Sequence, residues 1–158
     1  MSKALRKLVA VIILLLAISL STITIGYYMY EQSKASTPST TRIRLAGVLL
    51  TVELATTPAE QQRGLSGRSA MPEDHGMLFI FNQEDEWGFW MNGMMFPLDI
   101  IWFNANMKAV FIEQDLQPCT PNQCPVFTPP VGALYVLEVN AGFVKTNGVT
   151  LGDSFTFV

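Results

Sequence analysis

Two patterns of apolar residues divide the chain. From Leu8 to Tyr30 the sequence carries no charge, and apolar residues occupy every face. From Val48 onward they come in short bursts punctuated by Gly, Pro, Asn and Asp. The first pattern predicts one long apolar helix and the second a set of short strands. Val48, Leu50, Val52 and Leu54 alternate with Leu49, Thr51 and Glu53, a strand with Glu53 on its more polar face. Thr57-Pro58-Ala59-Glu60 then carries a capping residue, a first-turn proline and a capping-box glutamate, so a short helix is expected over Pro58–Arg63, stopped by Gly64.

Gly76–Phe81 is apolar throughout, as a central strand would be. The polar run Asn82–Glu86 predicts a turn, with Trp87–Met91 returning antiparallel. Asn92-Gly93 is a strong turn signal, and Pro97 starts a strand. Leu98–Phe103 and Lys108–Glu113 form a hairpin about Asn104-Ala105-Asn106. A Pro-rich loop, Gln117–Gly132, leads to a strand over Ala133–Val139, a helical turn within Ala141–Asn147, and a last strand over Ser154–Val158. These elements predict a mainly β domain, a compact antiparallel barrel or sandwich of about seven strands with one or two short helices. The N-terminal helix stands apart from it.

The apolar N-terminal segment is long enough to cross a hydrocarbon layer, which needs roughly 20 residues. Lys3, Arg6 and Lys7 precede it, whereas Glu31 and Lys34 cancel after it. The positive-inside rule therefore places the N-terminus in the cytoplasm and the domain outside, with Tyr27, Tyr28 and Tyr30 in an interfacial belt. A cleaved signal peptide is the competing reading, since Leu8–Leu20 alone would serve as its apolar core; the domain would then be exported and released. No clear small-x-small cleavage site follows, which favours the anchor. The expected organisation is a membrane anchor over 1–30, a polar Ser/Thr-rich tether over 31–42 and the β domain over 43–158.

Composition changes this picture little. The whole-chain mean hydropathy of +0.30 owes much to the N-terminal segment. Beyond residue 34 stand six basic and twelve acidic residues, a net charge of −6. Such a domain has no basic stripe and argues against nucleic acid as a partner. Cys119 and Cys124 share one loop, and export favours their pairing in a disulfide. A ring this small constrains little chain entropy, so it would shape the loop.

The candidate chemistry centres on Phe89–Ile100, which packs aromatics, three methionines and one carboxylate into twelve residues. Asp99 is the only ionisable group between Glu86 and Lys108. A charge among apolar neighbours must be paired, neutralised or turned to a cavity. Glu53 and Glu138 also fall inside apolar strands, and Arg63 and Arg68 are the arginines in the body of the domain. One functional reading is a pocket in which Trp90 and Met91 form a wall and these arginines and carboxylates hold a polar ligand. The competing structural reading is that each carboxylate sits on the wet face of its strand, or that one Arg–Asp pair fixes the fold. Met77, Met91, Met94 and Met95, with His75 and Trp90, are the set a soft cation such as Cu(I) selects. Methionine is more commonly pliable core filling, so no metal or cofactor is assigned.

The motifs Glu53-Leu54-Ala55, Arg63-Gly64-Leu65 with Arg68, Gly76–Phe81, Phe89-Trp90-Met91, Pro97–Ile100, Leu137-Glu138-Val139 with Gly142, and Gly152-Asp153 together resemble the family called domain of unknown function 192, from about Val48 to the C-terminus. The resemblance implies a small, mainly β domain, commonly exported or tethered, and no established activity. The family pattern after Trp-Met is Lys-Asn-Thr, where this chain has Asn92-Gly93-Met94. The expectation is thus an extracytoplasmic domain binding a small polar or carbohydrate-like ligand through Trp90, Met91, Asp99, Arg63 or Arg68, Glu53 and Glu138. The alternatives are an envelope-assembly module that binds another protein, or a hydrolytic enzyme using Asp99 with Glu53 or Glu138.

Overall fold

The computed structural model describes residues 2–33 and 38–158, which form two units divided at Thr37 and Pro38. The first is a single helix, α1 (Lys3–Ser33), whose span Lys3–Tyr28 contains an 18-residue stretch with a mean hydropathy of 2.8 and no buried residue. Its length and composition suit a membrane anchor and a signal sequence alike. Of the stretch read as a tether, residues 34–37 lie outside the described residues.

The second unit holds nine strands and two short helices. Strand β1 (Thr40–Leu45) begins inside the expected tether and was not legible as a strand. It pairs antiparallel with β2 (Val48–Ala55) across a two-residue turn, Ala46-Gly47, with φ of 49° and 82°. Positive φ at both turn positions matches the twist of paired strands, and glycine carries it without strain. Helix α2 (Pro58–Arg63) forms as its capping signature predicts: Thr57 accepts from the Glu60 amide while the Glu60 carboxylate accepts from the Thr57 amide. Gln61 ties it to the sheet by donating Nε2 to the carbonyls of Ile80 (2.9 Å) and Ala55 (3.3 Å).

Strand β3 (His75–Asp85) is longer than expected, because the polar run Asn82–Asp85 continues it past a bulge to pair Asp85 with Ala133. Both edges of β3 are taken, by β2 in parallel and by β8 (Ala133–Asn140) antiparallel. No edge is left for the Trp87–Met91 segment, which therefore does not return along β3 as expected. Its strand β4 (Phe89–Trp90) pairs with β7 (Val126–Phe127) from the Pro-rich loop. The expected hairpin is β5 (Leu98–Phe103) with β6 (Ala109–Leu116). Helix α3 (Phe143–Asn147) and β9 (Phe155–Phe157) complete the chain.

Seven strands form one sheet in the order β6-β5-β8-β3-β2-β1-β9. The sheet curls into a half-barrel, and its outer strands meet near their ends through the Lys108–Ser154 bridge and an Ala109 N to Asp153 O bond of 2.7 Å. Strand alternation gives it two apolar faces. One packs Ile43, Leu50, Val52, Leu78, Ile101, Phe103, Leu137, Val139 and Phe155 against α3. The other packs Ala55, Met77, Phe79, Ile100, Trp102 and Val136 beneath the loops that carry Leu65, Met91 and Met94. Cys119 and Cys124 are joined in a disulfide, and Cys119 bridges to Asn92 beside β4.

Candidate functional site

Register places the candidate carboxylates. Glu53 lies opposite Met77, Met77 opposite Glu138, and Glu138 opposite Ile100, a row across β2, β3, β8 and β5. Directly opposed residues project to the same face, so Glu53 and Glu138 share the loop-covered face. Asp99 lies opposite Val139, one step out of that row and on the α3 face. The structure therefore does not bring Asp99 together with the arginines. It is fully buried, and its oxygens accept from the Asp115 amide (2.9 Å) and the Val144 amide (2.8 Å). The first bond closes the irregular end of the β5–β6 ladder, where Asp115 has φ of 53°. The second satisfies an amide of the first turn of α3, whose Gly142 cap has no side chain to do so. Both oxygens are spent on the fold.

Arg68 grips Glu53 as a fork, Nη1 to Oε1 at 2.5 Å and Nη2 to Oε2 at 2.7 Å. That hydrogen-bonded guanidinium holds the Glu53 carboxyl below its usual range. Glu138 is the contrast. Its side chain is buried, Oε2 has no hydrogen-bond partner, and desolvation raises its pKa to about 8 against the lowering charge of Arg68. A carboxyl so placed is neutral at pH 7 and holds a proton it can donate.

Glu138 lines a cavity of about 200 Å³. Helix α2 and the turn after it supply Gln62, Arg63, Gly64 and Ser66; β3 supplies Phe79 and Phe81; the β4 segment supplies Trp87, Phe89 and Trp90. The aromatic wall is cross-braced. Trp87 stacks on Phe81 at 4.0 Å and 10°, and Phe89 meets Phe79 edge-on at 4.8 Å. Beneath them Trp102 donates Nε1 to the Trp87 carbonyl at 2.8 Å. Trp90 is 53% exposed, so its ring is accessible at the rim. The two sides are stitched by Gly67 N to Gly93 O (2.8 Å) and Ser66 Oγ to Asn92 O (3.1 Å). Gly64, with φ of +49°, passes close over the floor: a Cβ there would stand 3.5 Å from the Phe79 ring and 4.0 Å from Glu138 Oε2.

Of the residues expected to form a pocket, Trp90, Arg63 and Glu138 line this one. Arg68 and Glu53 form the pair beside its floor, and Met91 is packed into the core behind it. Met77 and Met94 are likewise buried, while Met95 is 62% exposed. His75 bonds Asp74 through Nδ1 at 2.7 Å. The sequence reading placed Phe89 in a stretch expected to wall a pocket but missed Trp87, although with Phe81 and Phe89 it formed an aromatic cluster in view. It also missed the role of Gln61 in docking α2.

A more open hollow of about 680 Å³ is bounded by Met71, Glu73, Asp74, Asn140 and Phe143. Its amides are already engaged: Asn140 donates to the Met71 and Pro72 carbonyls, and Asn147 to Phe143. The smaller cavity is the one lined by a residue with a buried polar atom that has no partner.

The model of the family DUF192, described as "Uncharacterized ACR", matches residues 41–157. A crystal structure of a candidate transcription regulator from Sinorhizobium meliloti 1021 is 34% identical, with a TM-score of 0.70, over 76% of this chain and 95% of that one. A protein of unknown function from Novosphingobium aromaticivorans DSM 12444 is 28% identical, with a TM-score of 0.71, over 78% of this chain and 89% of that one. No curated protein matches the chain.

Proposed function

The chain belongs to the DUF192 family, and on that premise we propose that its β domain binds a small polar ligand in the cavity walled by Trp90 and floored by Glu138. In this reading α1 holds the domain at the outer face of a membrane, with the N-terminus in the cytoplasm. One observation carries the assignment. A buried carboxyl oxygen without a partner costs about 1–3 kcal/mol, and here the residue that carries it lines a cavity. A ligand atom that bonds it recovers that cost. The accessible Trp90 ring offers a stacking face, as ring-shaped ligands such as sugars require. At about 200 Å³ the cavity is smaller than the roughly 300–1,000 Å³ of drug-sized sites, so the ligand is one small ring.

A protein-contact role is the second reading, favoured by the exposure of Trp90, Met95 and Val126 on and beside the β4–β7 ribbon. The hydrolytic reading is weaker: both oxygens of Glu53 are held by Arg68 and both of Asp99 by main-chain amides.

The test is a thermal-shift screen of small sugars and other polar rings on residues 38–158. The two solved relatives consist almost wholly of this domain, which therefore folds without α1. A ligand at 100 times its Kd stabilises the domain by about 2.7 kcal/mol, and Trp90→Ala removes that gain. If no compound shifts the melting curve, or Trp90→Ala keeps the shift, the cavity is not the binding site.

A further inference from the structure

The polar groups that line the cavity are unlike the acidic domain around them. Arg63 is its charged member, standing on α2 at the rim. Among the described residues Arg63 makes no salt bridge, although its charge reaches Glu53. Glu53 itself is neutralised by Arg68, so the fork leaves little net charge beside the floor. From the other strands packed around Glu138, β3 presents Met77 and Phe79 and β5 presents Ile100, none of them charged. Among the described residues Arg63 is therefore the charge that the lining presents without a salt-bridge partner. The site has a guanidinium at the mouth, a carboxyl at the floor and aromatic faces between.

We infer that the ligand is a small ring bearing a carboxylate, whose anionic group pairs with Arg63 while a ring or hydroxyl oxygen accepts from the Glu138 carboxyl. This rests on the cavity being the binding site. A guanidinium presents a planar fork that matches a carboxylate in two parallel hydrogen bonds. The floor matches the other end of the ligand, because a protonated acid donates to a neutral oxygen and does not pair with a cation as a carboxylate would. An amine at the same ring position would meet the Arg63 charge at the rim and require the floor to give up its proton. The distribution of charge thus orders the ligands: acid first, neutral ring second, amine last.

Three sugars that differ at one substituent test that order. Glucuronate, glucose and 6-amino-6-deoxyglucose, which differ only at C6, are titrated calorimetrically into the full chain in detergent at pH 6.5. Glucuronate binds at least tenfold tighter than glucose, and the amino sugar binds weakest. Arg63→Gln lowers the glucuronate-to-glucose affinity ratio about tenfold, and Arg63→Lys restores part of it. Arg63 is exposed on its helix, so these variants fold, and their melting temperatures verify it. The amino sugar binding as well as glucuronate, or a ratio unmoved by Arg63→Gln, overturns the inference. Glucose binding that Trp90→Ala abolishes, without a preference for the acid, overturns the charge assignment and leaves the cavity standing. No binding by any of the three overturns the assignment too, and a blank ligand screen then removes the cavity with it.

Discussion

Replacing Glu138 with Gln should change how the domain's stability depends on pH. In the unfolded chain the carboxyl ionises near 4.5, whereas in the folded protein burial holds it protonated up to about 8. Between those values the folded state binds a proton that the unfolded state has released. Stability therefore falls as pH rises through the window, and the loss is complete above about pH 8. The gap sets a ceiling of about 5 kcal/mol, or about 1.4 kcal/mol per pH unit. Glutamine keeps the shape and does not titrate. Its stability relative to the parent should rise steadily from pH 5 to pH 8 and then level off. If water entry or relaxation halves the ceiling, the melting temperatures still diverge by about 7–12 °C across the window. The assay is thermal unfolding of both proteins at half-unit pH steps, where all other titrations cancel in the difference. Parallel curves would refute the reasoning, because Glu138 would then be hydrated or paired.

Two further substitutions separate the fold from the site. Asp99→Asn places an amide against one of two main-chain donors, leaving a buried N–H unsatisfied, and should cost about 2–4 kcal/mol by urea unfolding; ligand affinity lost at unchanged stability would contradict its structural role. Arg68→Gln breaks a fork whose side chains are 34% and 19% exposed, so solvent screening limits the loss to about 1 kcal/mol. It also removes the charge that lowers the Glu138 pKa, so the pH at which Glu138 ionises should rise; a fall, read from carboxyl NMR shifts, would show that Arg68 does not face it.

Local signals were legible in the sequence where local physics decides. The capping signature of α2, the Asn-Gly turn and the alternation of β2 all appear as expected. Pairing partners were not legible, because they depend on which strand edges remain free. Hence the Trp87–Met91 segment was sent to β3 when only β7 could take it. Strand β1 escaped because its apolar positions, Ile43 and Leu45, are two residues beside a Ser/Thr-rich run. The same limit governs the site. An acid inside an apolar strand announces that something unusual holds it, but not which face it occupies. Asp99 stood out more than Glu138 because its sequence neighbours are so apolar, yet two main-chain amides from distant segments satisfy it. Glu138 looked like an ordinary wet-face residue and is the unsatisfied one. One step of register separates the two outcomes.

The most direct measurement is the carboxyl carbon resonance of Glu138, followed by NMR in protein labelled at glutamate, with the Glu138→Gln variant for assignment. The account predicts a midpoint near pH 8 in the free protein and a changed resonance when a cavity ligand is added. A midpoint in the ordinary carboxylate range, with no response to any ligand that binds, would contradict it.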